Sequence, residues 1–297
     1  MRGLRILKWI AVVVPQFVFA TSAPGQAWVQ KEDGYFFKLA ASYLSTDEMF
    51  DFQGNRTPVF ASDSTKSDGT YREFAITAYL EYGINERLTF VGNLPFKIVS
   101  NQFIESLPPI DPRKVTLTNG GVSDLTTSLR AQMLEKPALS LQGGIKIPLG
   151  YEQNPDNAGP RLGTGKVDAE LGLIGGVSFW PVPAYASGGI GYRWRGGAEF
   201  HNEYLFNLET GYTLRRLFMK IRFEGTKNVE DLTQVPSNAT TAERQDNIGD
   251  QDVYKLLPAL TYHFTPGFSA TAEAYYSFAG KNTVYGTTWA LGLEWNR

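Results

Sequence analysis

The chain contains no cysteine, which removes disulfide cross-links, thiol chemistry and thiolate metal sites at once. Only two histidines are present, His201 and His263, too few and too scattered for a zinc site, so no metal or cofactor is expected. Beyond the N-terminal leader no stretch offers about 18 consecutive apolar residues, which excludes a membrane-spanning helix there. Basic excess is missing too. Lys and Arg number 28 against 30 Asp and Glu, and nucleic-acid binding would need a basic stripe. With 42% hydrophobic residues and a mean hydropathy of −0.23, the composition looks soluble. A membrane β-barrel has the same composition, because every second residue faces its lumen. Pattern has to separate the two.

Residues 1–27 read as a secretory leader. Arg2, Arg5 and Lys8 precede a mostly apolar run from Trp9 to Ala20, and Gly25-Gln26-Ala27 supplies small residues where a signal peptidase cuts. A cut after Ala23 would leave Pro24 first, which is the less favoured alternative. The apolar run is too short for a spanning anchor. The chain is therefore expected to be exported, with residues 28–297 forming one domain. Removing Arg2, Arg5 and Lys8 leaves 25 basic residues against 30 acidic ones, a formal charge of −5.

The pattern is clearest between Phe74 and Ile98. Phe74, Ile76, Ala78, Leu80 and Tyr82 alternate with Ala75, Thr77, Tyr79 and Glu81. After the turn Gly83-Ile84-Asn85-Glu86, Leu88, Phe90, Gly92, Leu94, Phe96 and Ile98 share one face. Strand side chains point alternately to opposite faces, so this is a hairpin with one apolar and one mixed, partly charged face. Each arm is long enough, at about 10 tilted residues, to cross a bilayer.

The rhythm repeats to Trp295 and yields about twelve strands, an even number as in bacterial single-chain barrels. Tight connections at 83–86, 135–137, 181–183, 213–216 and 265–267 mostly alternate with long ones at 45–70, 100–121, 150–165 and 226–250. Short turns on one rim and long loops on the other mark an outer-membrane barrel. A soluble sandwich has no reason to produce that alternation. Tyr43, Tyr82, Trp180, Trp194, Tyr212, Phe264 and Trp295 gather near strand ends, where amphipathic rings favour the membrane interface. The expected fold is thus all-β, a transmembrane antiparallel up-and-down barrel.

Strand parity also names the candidate functional surface, the lumen. Its constriction or solute-contact candidates are Asp124, Arg130, Lys146, Asp168, Glu170, Arg193, Arg195, Lys220, Arg222 and Glu224, with Arg130 and Asp124, and Arg193 and Arg195, foremost. The same faces carry Glu81, Arg87, Lys97, Glu203, Glu209, Lys255, Glu273 and Glu294. Such residues either form charge rings that select solutes or pair with one another and fill the interior. Small barrels are filled, whereas 16–18 strands leave an open channel, so twelve strands leave both readings standing. Segment 150–165 either folds back over the pore or stays a surface loop.

Catalysis finds little support. His263 faces inward beside the short turn at 265–267, and His201, nearer the long-loop rim, has no Ser or Asp at a spacing that identifies a partner. The acidic runs Asp47-Glu48 with Asp51, and Asp246 with Asp250 and Asp252, lack the tight glycine-supported spacing of calcium loops and read as solvated charge.

Several stretches resemble the outer-membrane family labelled "MetA-pathway of phenol degradation". They are Gly120-Gly121-Val122-Ser123-Asp124-Leu125 followed by Leu129-Arg130; Lys146-Ile147-Pro148-Leu149-Gly150; Leu162-Gly163-Thr164-Gly165 with Asp168; and Gly191-Tyr192-Arg193. The match runs from about residue 74 to 195. Ser123 stands where the pattern prefers Gly, and the chain ends Trp295-Asn296-Arg297 rather than on an aromatic. The resemblance implies an outer-membrane channel for passive uptake of small molecules, with aromatic or hydrophobic compounds as the suspected cargo. Outer-membrane lipids, lipopolysaccharide and the barrel-assembly machinery would then be its surroundings. The rival is a structural or adhesive barrel, plugged by its own side chains, whose long loops contact a partner or envelope lipid.

Overall fold

In the computed structural model the described residues are 27–61, 63, 65–106, 111–151, 159–198, 200–232 and 249–297. The expected leader lies outside them except for Ala27.

Every regular element among these residues is a strand. In chain order they are β1 (Tyr35–Thr46), β2 (Glu48–Phe50), β3 (Arg56–Pro58), β4 (Lys66–Asn85), β5 (Leu88–Glu105), β6 (Arg113–Val122), β7 (Asp124–Glu135) and β8 (Ala138–Pro148). They continue as β9 (Asp168–Ser178), β10 (Ala184–Trp194), β11 (Glu203–Leu214), β12 (Leu217–Asn228), β13 (Asp252–Thr265), β14 (Phe268–Lys281), β15 (Thr283–Val284) and β16 (Gly286–Asn296). Each barrel strand pairs antiparallel with its neighbours, β16 closes onto β1, and β4 pairs with both β1 and β5. The result is a closed twelve-stranded barrel. A closed sheet leaves no edge for stray pairing, the condition for a β-structure in lipid.

Alternation assigns the two faces. Leu39, Ile76, Leu171, Leu260 and Leu291 point outward and are exposed, while Lys38, Glu81, Lys146, Asp168, Arg222 and Glu273 point inward and are buried. The core of this protein is therefore polar and its surface apolar, the reverse of a water-soluble sandwich. One bulge adjusts the parity. Phe96 faces Val122 and Asn93 faces Thr126, so β6 and β7 spend one residue more than β5 does over the same span. The extra residue brings Ser123 and Asp124 inward in succession, at 3% and 6% exposure, with the Ser123 N–H donating to Pro95 O at 2.9 Å.

The connections sort as expected: 86–87, 136–137, 179–183, 215–216 and 266–267 are tight and share one rim. Two expected loops prove to be partly stranded. Segment 45–70 contains β2, β3 and the start of β4, and 100–121 contains the end of β5 and all of β6 except Val122. The ladders continue past the barrel because Leu44, Tyr71, Val99 and Phe103 keep alternating inward and pack with Val59, Phe60, Leu162 and Val284 into an apolar cap at the long-loop end.

Candidate functional site: the occluded bore

The bore is closed at both ends by segments of chain. At the short-turn rim residues 27–30 run inside the barrel before β1. The Ala27 carbonyl accepts the Ser140 hydroxyl at 2.7 Å, and the Trp28 carbonyl accepts Arg130 Nη1 at 3.2 Å. Val29 N donates to Gln132 Oε1 at 3.2 Å, and Gln30 reaches Thr89 and Glu81, each at 2.8 Å. Two glycines make room. A Cβ on Gly176 would fall 2.8 Å from the Trp28 ring, and one on Gly83 would fall 1.8 Å from the Lys31 carbonyl oxygen. Trp28 also meets Tyr185 edge-on at 6.0 Å.

At the long-loop end residues 159–164 turn inward, with Arg161, Leu162 and Thr164 buried. Of the two placements open for 150–165, the described part adopts the inward one; residues 152–158 lie outside the described residues. The Ser123 hydroxyl donates to Leu162 O at 2.5 Å, Asn119 Nδ2 to Pro160 O at 3.0 Å, and Lys146 Nζ to Thr164 Oγ1 at 2.6 Å. Tyr151 donates to Asp124 at 2.6 Å and accepts the Gly165 N–H at 2.7 Å. Burial, followed by the neighbouring Asp124 charge, pushes the Tyr151 phenol well up, so it remains a donor.

Between the two stoppers the charges neutralise one another in layers. Near the short-turn end Arg130 lies 3.2 Å from Glu81, which also takes the Tyr79 hydroxyl, and Arg130 Nε donates to Gln142 at 2.9 Å. Higher up, Lys146 sits 2.7 Å from Asp168 and 3.5 Å from Asp124. Arg193 binds Glu170 at 2.6 Å, Arg193 and Arg195 share Glu203, and Arg195 lies 3.3 Å from Asp168. On the opposite wall Lys220 faces Glu209 at 3.7 Å, Arg222 binds Glu224 at 2.7 Å, and Lys38 binds Glu273 at 2.6 Å. A cation buried beside its carboxylate costs less than one left alone, whose exposure as an orphan costs about 3–5 kcal/mol.

What remains open between the Arg130 and Arg193 layers is a luminal cavity of about 60 Å³. Its wall combines Asn93, Thr126, Ser128 and Asn207 with Val91, Ile174 and Leu205, over glycines of β8, β9 and β10. An engineered apolar cavity that holds benzene measures about 150 Å³. This resting space is smaller.

All ten lumen candidates are interior, but they fall into two groups. Asp124, Arg130, Lys146, Asp168, Glu170, Arg193 and Arg195 surround the β7–β11 side, and Lys220, Arg222 and Glu224 lie along β12. Asp124 and Arg130, both on β7, do not meet. Six residues along a strand separate them by about 20 Å, so Asp124 serves Lys146 and Tyr151 while Arg130 serves Glu81. Arg193 and Arg195 are brought together, on Glu203. Arg87 is corrected: it is exposed in the turn after β4, past the last inward position. Parity reasoning overlooked Lys38 and Glu73, which obey the same alternation, and Trp28 and Gln30, whose segment has no periodicity to read.

His201 does have a partner, Asp250, with Nδ1 to Oδ2 at 2.5 Å. Burial pushes the Asp250 carboxyl up, against the opposing pull of Arg195 and His201. The pair anchors the rim between β10 and β13, and Asp252 similarly accepts Asn228 N at 2.8 Å. Asp51 caps its own turn through Gln53 and Asn55, each at 2.8 Å. Asp246 lies outside the described residues, among which no cluster of metal-ligand type occurs.

Fold, closure and a polar bore define a transmembrane β-barrel. The family described as "Putative MetA-pathway of phenol degradation" matches residues 46–293; the chain belongs to that family. Among solved structures it is similar to the COG4313 outer membrane channel from Pseudomonas putida F1, at 13% identity over 93% of this chain and 100% of that one, with a TM-score of 0.66. The KdgM porin aligns at 9% identity over 87% of this chain and 98% of its own, with a TM-score of 0.44. The toluene transporter TbuX of Ralstonia pickettii aligns at 8% identity over 90% of each chain, with a TM-score of 0.47. No protein with a curated description matches the chain.

Proposed function

We propose that the barrel is a passive channel of the bacterial outer membrane, admitting small molecules between the long loops and releasing them at the short-turn rim. The observation that carries this reading is how the bore is closed. Strand side chains leave a cavity along the β5–β11 wall, and separate chain segments, 28–30 and 159–164, stop the ends of the bore through a small set of hydrogen bonds. A barrel built only as a scaffold needs no such removable parts. The resemblance in fold to an outer membrane channel supports the same reading.

The family's description names phenol degradation, and aromatic compounds are the cargo class we favour; their passage requires a stopper to move, given the resting volume. Export would follow removal of residues 1–27, and the apolar exterior would meet outer-membrane lipid and lipopolysaccharide after delivery by the assembly machinery. Passive passage involves no bond chemistry.

The paired charges and the small cavity favour one rival, a structural or adhesive barrel with a filled interior. Single-channel current in a planar bilayer separates the two, with Arg130→Ala and Arg193→Ala alongside. Discrete conductance that changes in either variant supports the channel. Folded but silent protein, with loop deletions that abolish surface binding, supports the rival.

A further inference from the structure

Asn207 stands on the inner face of β11 with its amide against the cavity wall. Its Oδ1 is buried and accepts no hydrogen bond among the described residues. A buried amide oxygen left without a donor is costly, by about 1–3 kcal/mol, and native interiors rarely leave one so. The adjacent strand β10 is kept flat: a Cβ on Gly189, the register partner of Asn207, would approach Asn207 Nδ2 to 3.0 Å, and one on Gly191 would meet the Leu171 carbonyl oxygen at 3.1 Å. Glycine at these positions preserves both the space and the amide's position.

Each charge lining this space is already matched. Arg130 has Glu81, and Arg193 has Glu170 and Glu203. An ionic solute would have to break these pairs to gain a contact. A neutral solute would not. Ile174 and Leu205 offer it an apolar side, and Asn207 offers an acceptor on the other.

We propose that this cavity is a solute-binding subsite for a small uncharged molecule carrying a hydrogen-bond donor and an apolar edge, with Asn207 as its specificity-determining residue. At about 60 Å³ it holds a solute of a few heavy atoms, below the size of an aromatic ring. The inference rests on the channel reading and refines it.

The test is swelling of proteoliposomes in 1,2-propanediol and in zwitterionic glycine, two solutes of similar size, with protein-free vesicles as background. Wild-type protein should admit propanediol several-fold faster than glycine. Asn207→Ala removes the acceptor without narrowing the cavity; it should slow propanediol by about threefold or more, the worth of one net hydrogen bond, while Asn207→Ser restores part of the rate. Should wild-type vesicles admit neither solute, the channel reading falls and takes this one with it. Should they swell equally with and without the Asn207 amide, the subsite alone is overturned. A second readout covers poorly folding variants: the Asn207 side-chain amide resonances of wild-type protein in micelles should shift on titration with propanediol, and unmoved resonances overturn the assignment.

Discussion

Oε1 of Glu81 on β4 lies 3.2 Å from Nη1 of Arg130 on β7, across the intervening strand β5. Both groups are almost fully buried, and both also hold the segment that enters the bore, Glu81 through Gln30 and Arg130 through the Trp28 carbonyl. One ion pair thus ties the barrel wall to its own stopper.

Removing half of that pair leaves the other charge stranded. Glu81→Ala is expected to destabilise the barrel by about 3–5 kcal/mol. The double variant with Arg130→Ala should lose less than the two single losses combined, a coupling of about 0.5–3 kcal/mol. Urea unfolding of the four proteins in lipid vesicles measures it.

Asn101 calls for the opposite change. It is fully buried on the inner face of β5 beneath the apolar cap, and neither amide atom has a hydrogen-bond partner among the described residues. Asn101→Leu keeps the branched shape and heavy-atom count and removes the orphaned groups, so it should raise the unfolding midpoint by an amount equivalent to about 1–3 kcal/mol. A lowered midpoint would show that the amide is satisfied by bound water.

Asp63 gives the outer rim an acid limit. Burial would raise its carboxyl, but the Thr65 hydroxyl, the Lys66 ammonium at 2.9 Å and the Thr65 N–H outweigh it and hold it below its usual value. A folded-state value below the unfolded one contributes stability that is present above the unfolded value of about 3.9 and is lost as pH falls through the folded value. Hydrogen exchange, corrected for its intrinsic pH dependence, should show residues 63, 65 and 66 losing protection below about pH 4 while the barrel strands keep theirs.

How much of this was legible in the sequence depends on what carries periodicity. Strict alternation placed Lys146, Asp168, Arg193 and Arg222 inside from their positions alone, because a one-residue slip would put each charge in lipid. It could not say which partners meet. Asp124 and Arg130 share a face of one strand, yet their true partners come from other strands, whose register no local pattern states. The bulge at Ser123 hid in the same way: it is a difference in residue count between two strands. The inserted segments 27–30 and 159–164 were least readable, since Trp28 and Leu162 owe their burial to glycines and hydroxyls distant in sequence, Gly176 for one and Ser123 for the other.

The claim on which the account turns is that the bore conducts and that its N-terminal stopper limits the flow. Single-channel recording of wild-type protein beside a Trp28→Ala, Gln30→Ala variant tests it. The Gln30 side chain supplies the stopper's hydrogen bond to Glu81, and Trp28 its ring contact with Tyr185. Their loss should leave a folded barrel with conductance raised severalfold or with longer open times. An unchanged trace, or silence from both proteins when correct folding has been verified, would contradict it.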